Sequence, residues 1–295
     1  MADGEFTLIG ASAVRTQLPT GHRARRLHTH WLSFVVLGII IAGCMAAPLL
    51  SNHDPAHFYL QDINEPPSSE FYFGTDSMGR DIYSILWYGG RVSLSIGVLS
   101  MIISSTIGIA YGCLSGMGPD WLDNIMMRTA ELTSSIPSIL LMLLLLAFIP
   151  KPGILSISIV IGITHWMNLA RIVRGEVRQI RGSEYVWASR LMGAGLPHIA
   201  LRHLLPNFLS PILFMLVASI GSAIMIESTL SFLGIGLPVE VVSWGSMLSL
   251  AGRALLTNSW WVVVIPGMFL VITLVCITNI GQTFRKHVIK KSSNL

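Results

Sequence analysis

The chain has 295 residues, of which 52% are apolar and only 12% charged, and its mean hydropathy is +0.66. A soluble domain of this length carries about twice that share of charge, so an ordinary soluble globule is excluded and an all-α, polytopic membrane protein is indicated. The net charge of +4 is small and the arginines gather in a few predicted loops, which gives no footing for a nucleic-acid partner.

Residues 1–30 are polar, with Arg15, Arg23, Arg25 and Arg26 against Asp3 and Glu5. An apolar segment over 31–50 follows, and the positive-inside rule puts the N-terminus in the cytoplasm. Ile41-Ala42-Gly43-Cys44 has the form of a lipoprotein cleavage box. The polar lead before it is far longer than a signal peptide's charged region, so the segment reads as an uncleaved spanning helix. Residues 51–90 are acidic: Asp54, Asp62, Glu65, Glu70, Asp76 and Asp81 face a single arginine, Arg80. That stretch fits the outer face. In Gly74-Thr75-Asp76-Ser77-Met78-Gly79-Arg80-Asp81, both aspartates are placed to accept from turn backbone or to pair with Arg80, as in a capped surface turn.

The second span is expected over 92–116, where Gly108, Gly112 and Gly116 recur every fourth residue and permit close helix approach. A short cytoplasmic link with Asp120, Asp123 and Arg128 leads to a third span over about 125–149, with a kink expected at Pro137. Lys151-Pro152-Gly153 makes an outer turn, and the fourth span covers about 154–169. His165 and Trp166 near its inner end read as an interfacial pair in preference to a metal or proton site. Residues 171–202 hold six arginines and two glutamates, the strongest charge bias in the chain, and belong inside.

Within 181–207 a short helix is expected over 184–192, stopped by Gly193 and Gly195, and a second over about 198–205 before Pro206. Neither approaches the ~20 apolar residues of a span, so the stretch can present a rigid helix to a cytoplasmic partner. The fifth span, from 207 or 208 to about 232, contains Glu227. A carboxylate at membrane depth is expensive and by default functional. Pairing inside the bundle is favoured over substrate contact, with an outer end in water as the alternative. A sixth span over 259–281, kinked at Pro266-Gly267, precedes a tail marked by Arg285, Lys286, Lys290 and Lys291. Six spans result, with both termini cytoplasmic. The chain divides into an N-terminal segment (1–30), a first helix with its external loop (31–90), a five-span core (91–285) and a tail (286–295). Cys44, Cys113 and Cys276 all fall in apolar segments and read as buried small hydrophobes, with no disulfide framework.

Four motifs resemble one known family. Residues 184–207, Glu184-Tyr185-Val186-Trp187-Ala188-Ser189-Arg190 through Gly193 to Arg202, His203, Leu205, Pro206 and Asn207, resemble the cytoplasmic EAA loop of permease subunits of ATP-binding-cassette (ABC) importers. Trp187, Ala188 and Ser189 stand at the Glu-Ala-Ala triplet, and His203 stands where the pattern has Ile. Gly74 to Asp81 with Ser84 and Arg91-Val92-Ser93-Leu94 is similar to a marker of the dipeptide/oligopeptide/nickel branch. So are Glu227, Leu230 to Gly234 and Gly236, and the Ser243-Trp244-Gly245 loop. The chain is thus identified as a member of that branch, of the second, C-type kind, over about residues 31–285.

The resemblance implies an ABC importer permease fold and a multi-pass place in the bacterial cytoplasmic membrane. It implies coupling to an ATPase through Glu184, Tyr185, Trp187, Ala188, Ser189, Arg190, Gly193 and Pro206, with Glu227 in the translocation path or in bundle packing. The implied partners are a second permease subunit, two ATP-binding subunits, an external substrate-binding protein and membrane lipid. The cargo is a peptide, nickel or a metal chelate. No phosphate loop, His-Glu-x-x-His or Gly-x-Ser-x-Gly occurs, so a non-catalytic subunit without cofactor or metal is expected. Two alternatives stay open: an ion-coupled secondary transporter, for which the spans hold little ionisable character apart from Glu227, and an intramembrane enzyme, for which no convincing pair of nucleophile and base stands out.

Overall fold

The computed structural model describes residues 25–193, 195, 205–238 and 240–292. Their helices are α1 (Arg25–Met45), α2 (Ala47–Leu50), α3 (Ile82–Met117), α4 (Asp120–Ser135), α5 (Ser138–Ala147), α6 (Ile154–Arg181), α7 (Glu184–Leu191), α8 (Leu205–Phe232), α9 (Trp244–Leu248), α10 (Ala251–Leu256) and α11 (Trp261–Ser292). Among the described residues the only extended pairing is an isolated bridge between Thr75 and Asp81. Four helices are long and apolar enough to cross a membrane, and α4 with α5 forms a fifth, bent pair. Trp31–Met45 is a shorter apolar helix.

Contacts of the glycines set the directions of these helices. A Cβ on Gly108 would lie 3.0 Å from the Trp166 carbonyl, on Gly112 2.5 Å from that of Ala170, and on Gly116 3.1 Å from that of Arg174. The fourfold glycine repeat therefore lets α6 lie backbone-close against α3, as its spacing predicts. Residue numbers rise together along the two helices, so α3 and α6 run parallel. The chain between them must then return from one end of the bundle to the other, which is the path of α4 and α5. By contrast α8 is antiparallel to α3, since Gly97 meets Ile220 and Ile224 while Ser93 meets Glu227. In turn α11 is antiparallel to α8, with Gly221 against Ile277 and Gly281 against Phe214.

The third span is broken, where a kink was expected. Its two helices meet at 81°. Ile136 takes φ −81°, ψ 127°, because the ring of Pro137 pushes the preceding residue out of the helical region. Pro266, six residues into α11, does not interrupt that helix. As the sixth residue it lies past the first four donors, which have no helical partner, so it removes one i→i−4 bond, to the Val262 carbonyl, without ending the helix.

Three expected loops are helical. α3 begins at Ile82, where the Asp81 carboxylate caps it by accepting from the Ser84 amide at 3.0 Å. Its 36 residues reach about 54 Å, well beyond a hydrocarbon core of about 30 Å. Gly89 and Gly90 lie inside α3, and a Cβ on Gly90 would run into the Cys44 sulfur and come within 2.7 Å of the Trp244 ring. The expected link at 120–124 opens α4, with Asp120 and Asp123 in its first turn, where carboxylates favour the helix dipole. The fourth span continues through Arg181, so the first arginines of the expected loop lie on a helix.

The acidic segment folds over one end of the bundle. Arg80 Nε donates to Asp76 Oδ2 at 2.7 Å with both side chains buried, and Asp76 Oδ1 accepts from the Met78 and Arg80 amides. Trp261 Nε1 ties the turn to α11 by donating to the Thr75 carbonyl at 3.1 Å. Trp244, fully buried, donates from Nε1 to the Leu86 carbonyl at 3.0 Å.

Candidate coupling helix and buried carboxylates

α7 hangs from the arginine-bearing end of α6. Gly182 caps α6, and the Val186 and Trp187 amides start the new helix by donating to the Ser183 carbonyl. Val186 is fully buried and packs with Leu169, Val173, Val177 and Ile212, which seats the helix on α6 and α8. The opposite side stands free: Trp187 is 58% exposed, Leu191 86% and Met192 80%. Glu184 and Ala188 are exposed as well, whereas Ser189 is buried. Past the helix Gly193 has φ +86°, a left-handed backbone, and a Cβ there would meet nothing within 4 Å among the described residues. Its requirement for glycine is conformational, not steric. The side chains of Tyr185, Arg190 and Pro206, all of Arg202 and His203, and the second short helix expected over about 198–205 up to its last residue lie outside the described residues. The same holds for residues 1–24.

The end of α6 that carries α7 is clamped to the α3–α4 corner. Asp123 is fully buried and accepts from Arg174 through both Nε, at 2.6 Å, and Nη2. It also accepts from Ser115 Oγ and pairs with Arg178 Nη2 at 2.9 Å. Arg178 reaches Asp120 at 2.9 Å as well. Arg181 Nη1 donates to the last carbonyls of α3, at 3.1 Å to Met117 and 3.0 Å to Gly118, where a cation also suits the dipole. Sequence reasoning treated Asp123 as part of a surface link and missed this clamp. The available signal was the spacing of Arg174, Arg178 and Arg181, which puts three guanidiniums on one helix face.

Glu227 lies at the other end, on α8, with no exposed surface; it is not set in water. Its Oε1 accepts from Ser231 Oγ at 2.9 Å and Ser243 Oγ at 2.6 Å, and its Oε2 from Ser93 Oγ at 3.1 Å. Each of these hydroxyls also accepts a backbone amide: Ser93 that of Trp244, Ser231 that of Leu237, and Ser243 that of Ser246 as the cap of α9. One carboxylate thus joins α3, α8, α9 and the loop between the last two. Cys44 and Cys276 are buried and Cys113 partly so, all as free thiols.

A bundle of apolar helices, bridged by buried ion and hydroxyl clusters and carrying one short helix with an exposed apolar side, is that of a multi-pass membrane protein. Residues 108–291 match the family described as "Binding-protein-dependent transport system inner membrane component". The chain belongs to that family. It is 37% identical over 254 residues to the oligopeptide transport system permease protein OppC of Bacillus subtilis, covering 86% of this chain and 83% of that protein. To the dipeptide transport system permease protein DppC of the same organism it is 36% identical over 261 residues, 88% of this chain and 81% of that one. A chain of the MetNI methionine ABC transporter, solved in inward facing conformations, superposes with TM-score 0.58 at 18% identity. That likeness covers 70% of this chain and 97% of the other, and it establishes the ABC permease fold.

Proposed function

We propose that this chain is the permease subunit of an ATP-driven importer of short peptides. The observation that carries this is its identity, across most of both chains, to two permease proteins named for oligopeptide and dipeptide transport. Nickel and metal chelates, the other cargo implied by the sequence motifs, have no such support.

In this reading the chain crosses the membrane six times, through α1, α3, the α4–α5 pair, α6, α8 and α11, with both termini in the cytoplasm. The directions of the helices support it, as do the four arginines at 171, 174, 178 and 181 near one end of α6. α7 then faces the cytoplasm and seats Trp187, Leu191 and the neighbouring Ala188 in a groove of an ATP-hydrolysing partner. Glu184 contributes charge at the rim. Closure of the ATPase pair moves α7, and the Asp123 clamp passes that motion to α3, α4 and α6 as one body. The remaining partners are a second permease chain, which closes the pathway, and an external binding protein that delivers cargo.

The test is uptake by right-side-out membrane vesicles, energised with internal ATP and supplied with the binding protein. Vesicles with the full set of subunits are expected to accumulate labelled trialanine and not nickel ions. Loss of this chain should abolish accumulation. Nickel accumulation without trialanine accumulation would overturn the peptide reading.

A further inference from the structure

Two cavities flank the middle of α6 and share His165 and Asn168. One, of about 140 Å³, lies between α3, α6 and α8 and is lined by Ser100, Ser104, Ser219 and Ser222. The other, of about 240 Å³, lies in the α4–α5 break and is lined by Thr133, Ser134, Ser138, Thr164 and Arg171. Polar groups at this depth are costly, and most hydroxyls here are quenched by their own helix. Ser104, Ser134, Thr164 and Ser219 each donate to a carbonyl three or four residues back. Ser100 does not. It is 1% exposed, and its Oγ has no partner among the described residues. A buried hydroxyl left without a partner is unfavourable unless something else supplies one.

The remaining groups narrow the ligand. His165 Nδ1 sits 3.1 Å from Thr164 Oγ1 and 3.2 Å from the Ile161 carbonyl, which leaves Nε2 as the ring's other polar atom. Arg171, an exposed residue that lines the second cavity, donates from Nη2 to the exposed Asn168 Oδ1 at 2.6 Å, which leaves further N–H donors on its guanidinium. Among the described residues no Asp or Glu lines either cavity. One cation without an acidic neighbour complements an anion and opposes a metal ion. The hydroxyls, imidazole and amide match neutral donors and acceptors.

We propose that this seam is a binding subsite for the carboxylate end of a short peptide. Arg171 takes the carboxylate, and Ser100, His165 and Asn168 contact the adjoining main chain. The inference rests on the peptide reading above and adds where, and by which end, the cargo is held.

The test is equilibrium binding of labelled trialanine and of its C-terminal amide to the assembled transporter, purified without the external binding protein. The free acid is expected to bind roughly tenfold tighter than the amide, a charge-assisted contact being the stronger kind. Arg171→Gln should bring the two to the same affinity. Ser100→Ala should weaken both about fivefold, one ordinary hydrogen bond, and leave their ratio unchanged. Nickel chloride should displace neither. Equal binding of acid and amide by the wild-type protein, or binding of neither, would overturn the subsite, and that comparison needs no variant to assemble. If the vesicles accumulate trialanine while this preference is absent, only the subsite fails; if they accumulate none, the peptide reading itself fails.

Discussion

Glu227→Ala is expected to cost the protein about 3–5 kcal/mol, enough to lower its yield and its assembly with partner subunits. The carboxylate is the common acceptor of Ser93, Ser231 and Ser243, with Ser228 at 3.5 Å. Alanine leaves those buried hydroxyls without that acceptor and opens a gap between α3, α8 and α9. Some of them can rotate toward backbone carbonyls, so the penalties do not add in full. Glu227→Gln keeps the volume and one carbonyl acceptor but turns an NH2 group toward hydroxyl donors. It should lose less, about 1–2 kcal/mol. Thermal unfolding of the purified transporter in detergent reads both. An unchanged midpoint for Glu227→Ala, with altered cargo affinity, would mean that Glu227 serves the pathway and not the packing.

The reasons for Glu227 were only partly visible in the sequence. Its depth in an apolar run marked it as costly, and Ser228 and Ser231 on the same helix were in view. Ser93 and Ser243, however, lie 134 residues before it and 16 after. No local pattern shows that they converge on one oxygen pair. The glycine repeat of α3 was legible because its spacing alone implies a smooth helix face. Gly89 and Gly90, by contrast, fell in the expected outer loop; their place within α3, with Cys44 and Trp244 against Gly90, has no local signal. The arginines on α6 read as loop because charge density usually means solvent, and their partners Asp120 and Asp123 are more than fifty residues away.

Asp123→Ala carries the other large expected effect. It removes the shared partner of Arg174 and Arg178 and leaves the Ser115 hydroxyl without its acceptor. Breaking a buried pair from one side costs about 3–5 kcal/mol. Arg174 is partly exposed and can turn toward water, and Arg178 keeps Asp120. About 2–4 kcal/mol is therefore expected, at the lower part of that range or just beneath it. Because the clamp also holds the base of α7, peptide-stimulated ATP hydrolysis should fall further than transporter yield does. The double variant Asp123→Ala, Arg174→Ala should recover part of the lost stability, since no guanidinium at 174 then faces an empty site. Thermal midpoints of the single and double variants measure this. A double variant less stable than Asp123→Ala alone would show that Arg174 is held mainly by other contacts.

If α7 carries the coupling, it must keep its shape up to Gly193, the residue that ends its exposed apolar side. With φ at +86° and no contact to a Cβ among the described residues, Gly193→Val strains the backbone itself by about 1–2 kcal/mol. Gly193→Asn is the control, since asparagine visits the left-handed region more readily. The measurement is co-purification of the ATPase subunits with each variant, together with peptide-stimulated ATP hydrolysis in liposomes. The account predicts that Gly193→Val inserts normally but loses ATPase association or stimulation, while Gly193→Asn keeps most of both. Wild-type association and wild-type stimulation in Gly193→Val would contradict it.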